Sequence, residues 1–280
     1  MTKLSTEDKR VLPLYLFTGK GGVGKTTLAL AFAAHLQTQK HKVHFVAWED
    51  SAFIERSAKL LGLESYRAID EFKVVEEHLH RKLGPMVGGW VCSTAFFPAL
   101  INLVPSARYV LCLEHLVYLI ENFSDPKGEV LIFDAPSSGH MLVMLESLKN
   151  FLSILGTGVV FEDIERTQNF LRDVEKCKIN LVTIPSILSF SECEETRDEI
   201  LRMGWTEKSL NVIINNSFLS LKEWFDDGEL LPGIISKKMQ QEAQLLEEKR
   251  AMAKGICPYV IHQDYIQLVQ TLSEFSSKFK

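Results

Sequence analysis

The residues best suited to chemistry stand in one run near the start of the chain, Gly19-Lys20-Gly21-Gly22-Val23-Gly24-Lys25-Thr26. The run fits G-x-x-x-x-G-K-[ST] at every fixed position. Glycines in such a loop let backbone N–H groups converge on phosphate oxygens, and a helix opening directly after it adds positive potential at the same point. Lys25 then reaches the β- and γ-phosphates, the Thr26 hydroxyl ligates Mg²⁺, and Thr27 joins the cofactor-binding set. The same stretch satisfies the G-x-G-x-x-G string of dinucleotide sites, but neither that motif nor a structural glycine turn gives the Lys25-Thr26 pair a purpose.

Carboxylates in the right places complete a nucleotide site. Asp134 follows the apolar run Val130 to Phe133. An acid at the C-terminal end of a buried strand is placed to hold Mg²⁺ directly or through water, so Thr26 and Asp134 form the expected metal set. Glu49 and Asp50 follow another such run, Val43 to Trp48.

These side chains need strands to carry them. Short apolar runs at 12–18, 43–48, 130–133, 179–184, 210–214 and 259–261 read as parallel strands covered on both faces. Helical text separates them. Leu28, Ala31, Phe32 and Leu36 recur at helical spacing after Gly24, and Ser191 with Glu194 has the spacing of a capping box closed by Gly204. The alternation predicts an α/β fold, a doubly wound and mostly parallel sheet of the P-loop NTPase type. With no polar Gly/Pro/Ser linker visible, residues 1–280 read as one domain with helical insertions at about 70–125 and 141–176.

Composition bounds the function. The chain has 280 residues, 46% hydrophobic and 24% charged, which sets aside disorder, collagen and coiled coil. A formal charge of −5 offers no basic surface for nucleic acid. Five cysteines without a Cys-x-x-Cys pair fit a reducing cytosol better than a disulfide framework, and Met1 to Arg10 lacks the pattern of a secretory leader. Leu83 to Ala107 is free of charge and long enough to span a bilayer, but its prolines and glycines suit shorter buried elements, so no stable membrane span is expected.

Lys20 adds a second lysine to the loop, giving GKGGVGKT. The motif resembles that of the deviant Walker A ATPases, a group holding the ParA and MinD positioning ATPases, the nitrogenase iron protein, and the arsenical-pump (ArsA) and tail-anchored-protein targeting ATPases. The resemblance implies ATP and Mg²⁺ as cofactors and a nucleotide-sandwich homodimer in which Lys20 reaches the partner's phosphates. Asp134-Ala135-Pro136-Ser137-Ser138-Gly139-His140 resembles the D-T-A-P-T-G-H signature of the ArsA and targeting branch, with the proline one position early. Val212 to Ser217 resembles that branch's V-I-N-N-S strand end, which implies an adenine contact for Asn215; a turn after a strand would use the same asparagines. A looser likeness extends from Val182 to Gly204 and through Lys237 to Gln240. Where the family has D-P-A-H, with an aspartate orienting the attacking water, this chain has Glu49-Asp50-Ser51-Ala52. Either carboxylate is then a candidate, and slow hydrolysis or binding without efficient turnover follows, because misplacement by about 1 Å costs on the order of a hundredfold.

The branch also implies an output. In targeting ATPases helical insertions bind an apolar client helix, and in arsenical pumps cysteines bind metalloid. Met86, Val87, Trp90, Val91, Phe96, Phe97, Leu100, Ile101 and Leu103 in the first insertion are candidate client residues. So are Met141, Leu142, Met144, Leu145, Leu148, Phe151 and Leu152 in the second, with ordinary core packing as the competing reading. Cys92, Cys112 and Cys177 read as packing residues that bind As(III) only if the fold gathers them. The last helix, from Asp264, is expected to dock on the sheet. The alternative outputs are ParA- or MinD-like positioning and a catalytically impaired partner subunit.

Overall fold

The computed structural model describes residues 11–94, 105–219 and 233–280. Among them seven strands form one parallel sheet in the order β3-β2-β4-β1-β5-β6-β7. They are β1 (Leu14–Gly19), β2 (Lys42–Ala47), β3 (Ser65–Ala68), β4 (Glu129–Ser137), β5 (Cys177–Thr183), β6 (Leu210–Ser217) and β7 (Ala253–Pro258). The α/β fold class read from the alternation of strands and helices therefore holds.

Side-chain alternation divides the core into two layers. Leu14 and Leu16 of β1 enter one cluster, together with α4 (Pro105–Glu121), α5 (Ser138–Leu155), α6 (Val159–Arg172) and α7 (Ile187–Arg202). Tyr15 and Phe17 enter the other, packed on α1 (Lys25–Thr38), α2 (Ala52–Leu60) and the terminal helix (Tyr265–Ser273). Period-two alternation on a strand covered from both sides requires both sets to be apolar, and each fully buried Leu or Phe contributes about 1.5–3 kcal/mol. The terminal helix docks through Val269 and Leu272 onto the α1 layer.

Two strands differ from the sequence reading. β3 was not expected, because Ser65-Tyr66-Arg67-Ala68 is short and polar; it lies at the sheet edge, where those properties discourage pairing with another chain. The last strand is Ala253–Pro258 and not 259–261, with Pro258 tolerated because β7 is the opposite edge. The cap of α7 is Ser186, whose hydroxyl accepts the Ser189 N–H; Ser191 lies inside the helix, and Gly204 follows its end with a φ of 98°.

Between β3 and β4 lie α3 (Glu71–Ser93) and α4. Asp70 caps α3 by accepting the Phe72 and Lys73 N–H groups at 3.1 Å. The helix is broken at Gly84, whose φ of 79° and ψ of 160° no helical residue adopts, and Pro85 opens the second half. No helix among the described residues is long and apolar enough to cross a membrane. In the second insertion Met141, Met144, Leu145 and Leu148 are core, and Leu142, Phe151 and Leu152 pack against it. In the first, Met86, Val87 and Trp90 are exposed, Trp90 by 70%, while Val91 packs on Val75. Phe96, Phe97, Leu100, Ile101 and Leu103 lie outside the described residues.

Candidate functional site

β1 sits where the strand order reverses, with β4 and β2 on one side and β5 and β6 on the other. The crevice beyond the C-terminal ends of parallel strands at such a switch point is where ligands bind in this architecture. Gly19 ends β1 there, and a Cβ on it would stand 2.1 Å from the Val182 carbonyl oxygen of β5. The chain then turns through Gly22 and Gly24, with φ of 81° and 88°, and Gly24 is the N-cap of α1. The loop therefore reaches the helix N-terminus through two positions that favour glycine.

Asn215 at the end of β6 braces this turn. It is 2% exposed, and its side-chain amide donates to the Val23 carbonyl at 2.9 Å. A Cβ on Gly24 would lie 2.3 Å from the same amide nitrogen. The Asn215 side-chain oxygen is buried with no partner among the described residues. Asn216 takes a φ of 56° and is exposed. Thr27, one turn inside α1, accepts a hydrogen bond from the Tyr265 hydroxyl at 3.2 Å, and Phe53 at the start of α2 stacks at a tilt on that tyrosine, 4.7 Å between ring centres.

Asp134 occupies the centre of the sheet end, level with Phe17 of β1 and Ala47 of β2. The Thr26 hydroxyl donates to its Oδ2 at 2.6 Å, while Oδ1 is buried and unpartnered among the described residues. Burial raises its pKa to about 6 against the opposing pull of Thr26 and Lys25, and the nearby Glu49 carboxylate raises it further. A buried half-satisfied carboxylate touching a threonine hydroxyl, with a second carboxylate close by, fits a hard divalent cation such as Mg²⁺. Just beyond, β4 carries one extra residue against β1, and the Thr18 hydroxyl donates to the Pro136 carbonyl at 2.8 Å.

Glu49 and Asp50 are both exposed at the end of β2, and Ser51 caps α2 by accepting the Ile54 N–H. The two acids bear on different neighbours through their charge. Glu49 acts electrostatically on Asp134, whereas Asp50 acts on Tyr66, whose pKa is raised first by burial. His140 stands edge-on to Trp48 and Tyr109, with ring centres 5.1 and 4.8 Å away, and so links the end of β2 to α4. Lys20 leans out of the loop to Glu192 of α7, Nζ to Oε1 2.6 Å.

The structure thus brings together Lys20, Thr26, Asp134, Glu49 and Asn215 from five separate elements around one loop. Sequence reasoning missed Glu192, Tyr265, Thr18 and the two aromatic neighbours of His140. Thr18, Trp48 and Glu192 lie in stretches the sequence singled out, but nothing there marks these positions, and each residue meets its partner only through the fold. The three cysteines are not gathered: Cys112 and Cys177 are buried in the main core while Cys92 lies in a separate cluster.

A parallel sheet with this loop at its switch point and a Thr-Asp pair beneath it defines the P-loop nucleotide-binding class. Residues 12–52 match the model of the anion-transporting ATPase family. The chain is 25% identical over 264 residues to an arsenical pump-driving ATPase of Escherichia coli, covering 87% of this chain and 40% of that protein. It is 24% identical over 281 residues to one from Acidiphilium multivorum, covering 93% and 41%. The chain spans about two-fifths of the length of these curated relatives. Within the P-loop class, these matches make the chain similar to the arsenical pump-driving ATPases.

Proposed function

We propose that the protein is a cytosolic Mg-ATP-dependent molecular switch that hydrolyses ATP slowly as a homodimer and couples the cycle to an apolar client or an anion. The observation that carries this reading is the Thr26 to Asp134 hydrogen bond beside a loop carrying both Lys20 and Lys25. Lys25 and the loop N–H groups hold the phosphates. Thr26 and Asp134 hold Mg²⁺, which when bound neutralises charge on the phosphates. Glu49 orients the attacking water, because its charge is the carboxylate that bears on Asp134. Asn215 sets the shape of the loop, and its free side-chain oxygen is the atom left for the adenine amino group.

Lys20 acts on the partner's nucleotide, which requires release from Glu192. The exposed Met86, Val87 and Trp90 on the second half of α3 supply the apolar surface for a client. His140, set between Trp48 and Tyr109, is the route by which the end of β2 moves the helical layer. The test is Mg²⁺-dependent phosphate release with nucleotide binding measured in parallel. Lys25→Ala should lose both, and Lys20→Ala should lose turnover while keeping binding. Full turnover by Lys20→Ala would refute the action in trans, and turnover equal to that of Lys25→Ala in the native chain would refute the hydrolytic switch.

A further inference from the structure

The broken helix α3 builds a second cluster of ligating side chains, unrelated to phosphate. Glu76 and His80 are four residues apart, one turn on the same face of its first half. At Gly84 the chain reverses, and the second half returns close enough that a Cβ on Gly88 would stand 2.6 Å from His80 Cδ2 and 3.0 Å from His80 Cα. Only glycine permits that approach, and it delivers Cys92 to the first half. One ligand atom from each of Glu76, His80 and Cys92 then lies within 4.8 Å of the other two. His80 Nε2 is buried and has no hydrogen-bond partner among the described residues, a state that calls for an unseen ligand.

We propose that Glu76, His80 and Cys92 bind a divalent transition-metal cation of the zinc class. Carboxylate, imidazole and a single thiolate form a borderline donor set, too soft for Mg²⁺ and too poor in sulfur for an ion that demands several thiolates. Donor atoms around tetrahedral zinc stand roughly 3.3–3.8 Å apart, so small side-chain rotations close the triad. Three protein ligands leave a fourth position for water or an external ligand. The ion joins the two halves of α3 and fixes the exposed Met86, Val87 and Trp90, which lie in sequence between His80 and Cys92.

Zn²⁺ titration of the full chain against a chromophoric chelator, with Co²⁺ as spectroscopic probe, tests the site. One equivalent per chain is expected, with a thiolate-to-cobalt charge-transfer band and a higher melting temperature in the presence of metal. Cys92→Ser should lose the band, and His80→Ala and the surface variant Glu76→Gln should each weaken binding at least about tenfold. Circular dichroism matching the native chain shows that the variants are folded. Substoichiometric binding by the native chain, or native affinity in Cys92→Ser and His80→Ala, overturns the proposal.

Discussion

Lys20 Nζ lies 2.6 Å from Glu192 Oε1, so the lysine that the family resemblance sends to a partner's phosphates is held in its own chain. Both side chains are about two-fifths exposed, at 41% and 37%, and a pair so open to water is worth at most about 1 kcal/mol. That is enough to bias a switch without locking it. Glu192→Ala should therefore strengthen ATP-dependent self-association by up to about fivefold, read by analytical ultracentrifugation in ATP. An unchanged or weaker association in ATP would show that Glu192 does not restrain Lys20.

The buried Asp134 makes metal-free stability depend on pH. Its folded pKa, raised from 3.8 to about 6, exceeds the unfolded value, so the folded state binds its proton more tightly. Stability from this group is full below about pH 4 and falls as pH rises through 6, by up to about 3 kcal/mol. Asp134→Asn should remove that slope and stabilise the metal-free protein at pH 7 while abolishing Mg²⁺-dependent hydrolysis. Urea unfolding at several pH values, for both proteins with and without Mg²⁺, checks the sign.

Gly24 and Asn215 are coupled across the sheet end. Alanine at Gly24 meets both a positive φ and the Asn215 amide, so Gly24→Ala should reduce nucleotide affinity by tenfold or more. Asn215→Ala leaves the Val23 carbonyl without its donor, at about 1–2 kcal/mol, and should weaken binding less. Because that change also removes the obstructing amide, the double variant should bind better than the sum of the two losses predicts, a departure that calorimetry can measure.

The candidate phosphate loop was legible because its chemistry is local: phosphate binding needs glycines, a lysine and a threonine in fixed register, as in Gly19 to Thr26. Strands β1, β2 and β4 to β6 were legible because most of their positions are buried and each carries a run of mostly apolar residues. β3 was not, since an edge strand needs no apolar signal, and β7 was displaced because Ala253-Lys254-Gly255-Ile256-Cys257-Pro258 carries less β-branched character than the residues after it. The pair Lys20–Glu192 spans 172 positions and no periodicity encodes it. The α3 hairpin was hidden for a related reason: Gly84 and Pro85 read as punctuation, with nothing to say that the second half folds back onto the first.

Glu114 ties the helical layer together. It is buried in α4, with Arg81 of α3 at 2.6 Å, His78 at 3.3 Å and Arg166 of α6 at 3.4 Å. Burial alone would raise its pKa, but these partners together hold it below the usual carboxylate value. Its contribution is therefore present above the ordinary carboxylate range and lost as pH falls below it. Glu114→Ala should cost about 3 kcal/mol, since it strands cations at the layer's centre, whereas Arg166→Ala, half open to water, should cost about 1 kcal/mol or less. Denaturant midpoints near neutral pH separate the two.

Glu49 and Asp50 give opposite expectations under substitution. Glu49 bears on Asp134 through its charge, but its carboxylate is one methylene farther from the backbone than the aspartate that the family resemblance places there. If that extra reach misplaces the attacking water by about 1 Å, the penalty is on the order of a hundredfold in rate. Glu49→Asp should then accelerate single-turnover hydrolysis, by up to about that factor, without changing ATP affinity. Glu49→Gln keeps the length and removes the charge, so it should slow hydrolysis below the native rate. Asp50 acts on Tyr66 beside the cap of α2, and Asp50→Asn should leave the rate within about twofold. A large loss in Asp50→Asn with no gain in Glu49→Asp would transfer the water-orienting role to Asp50.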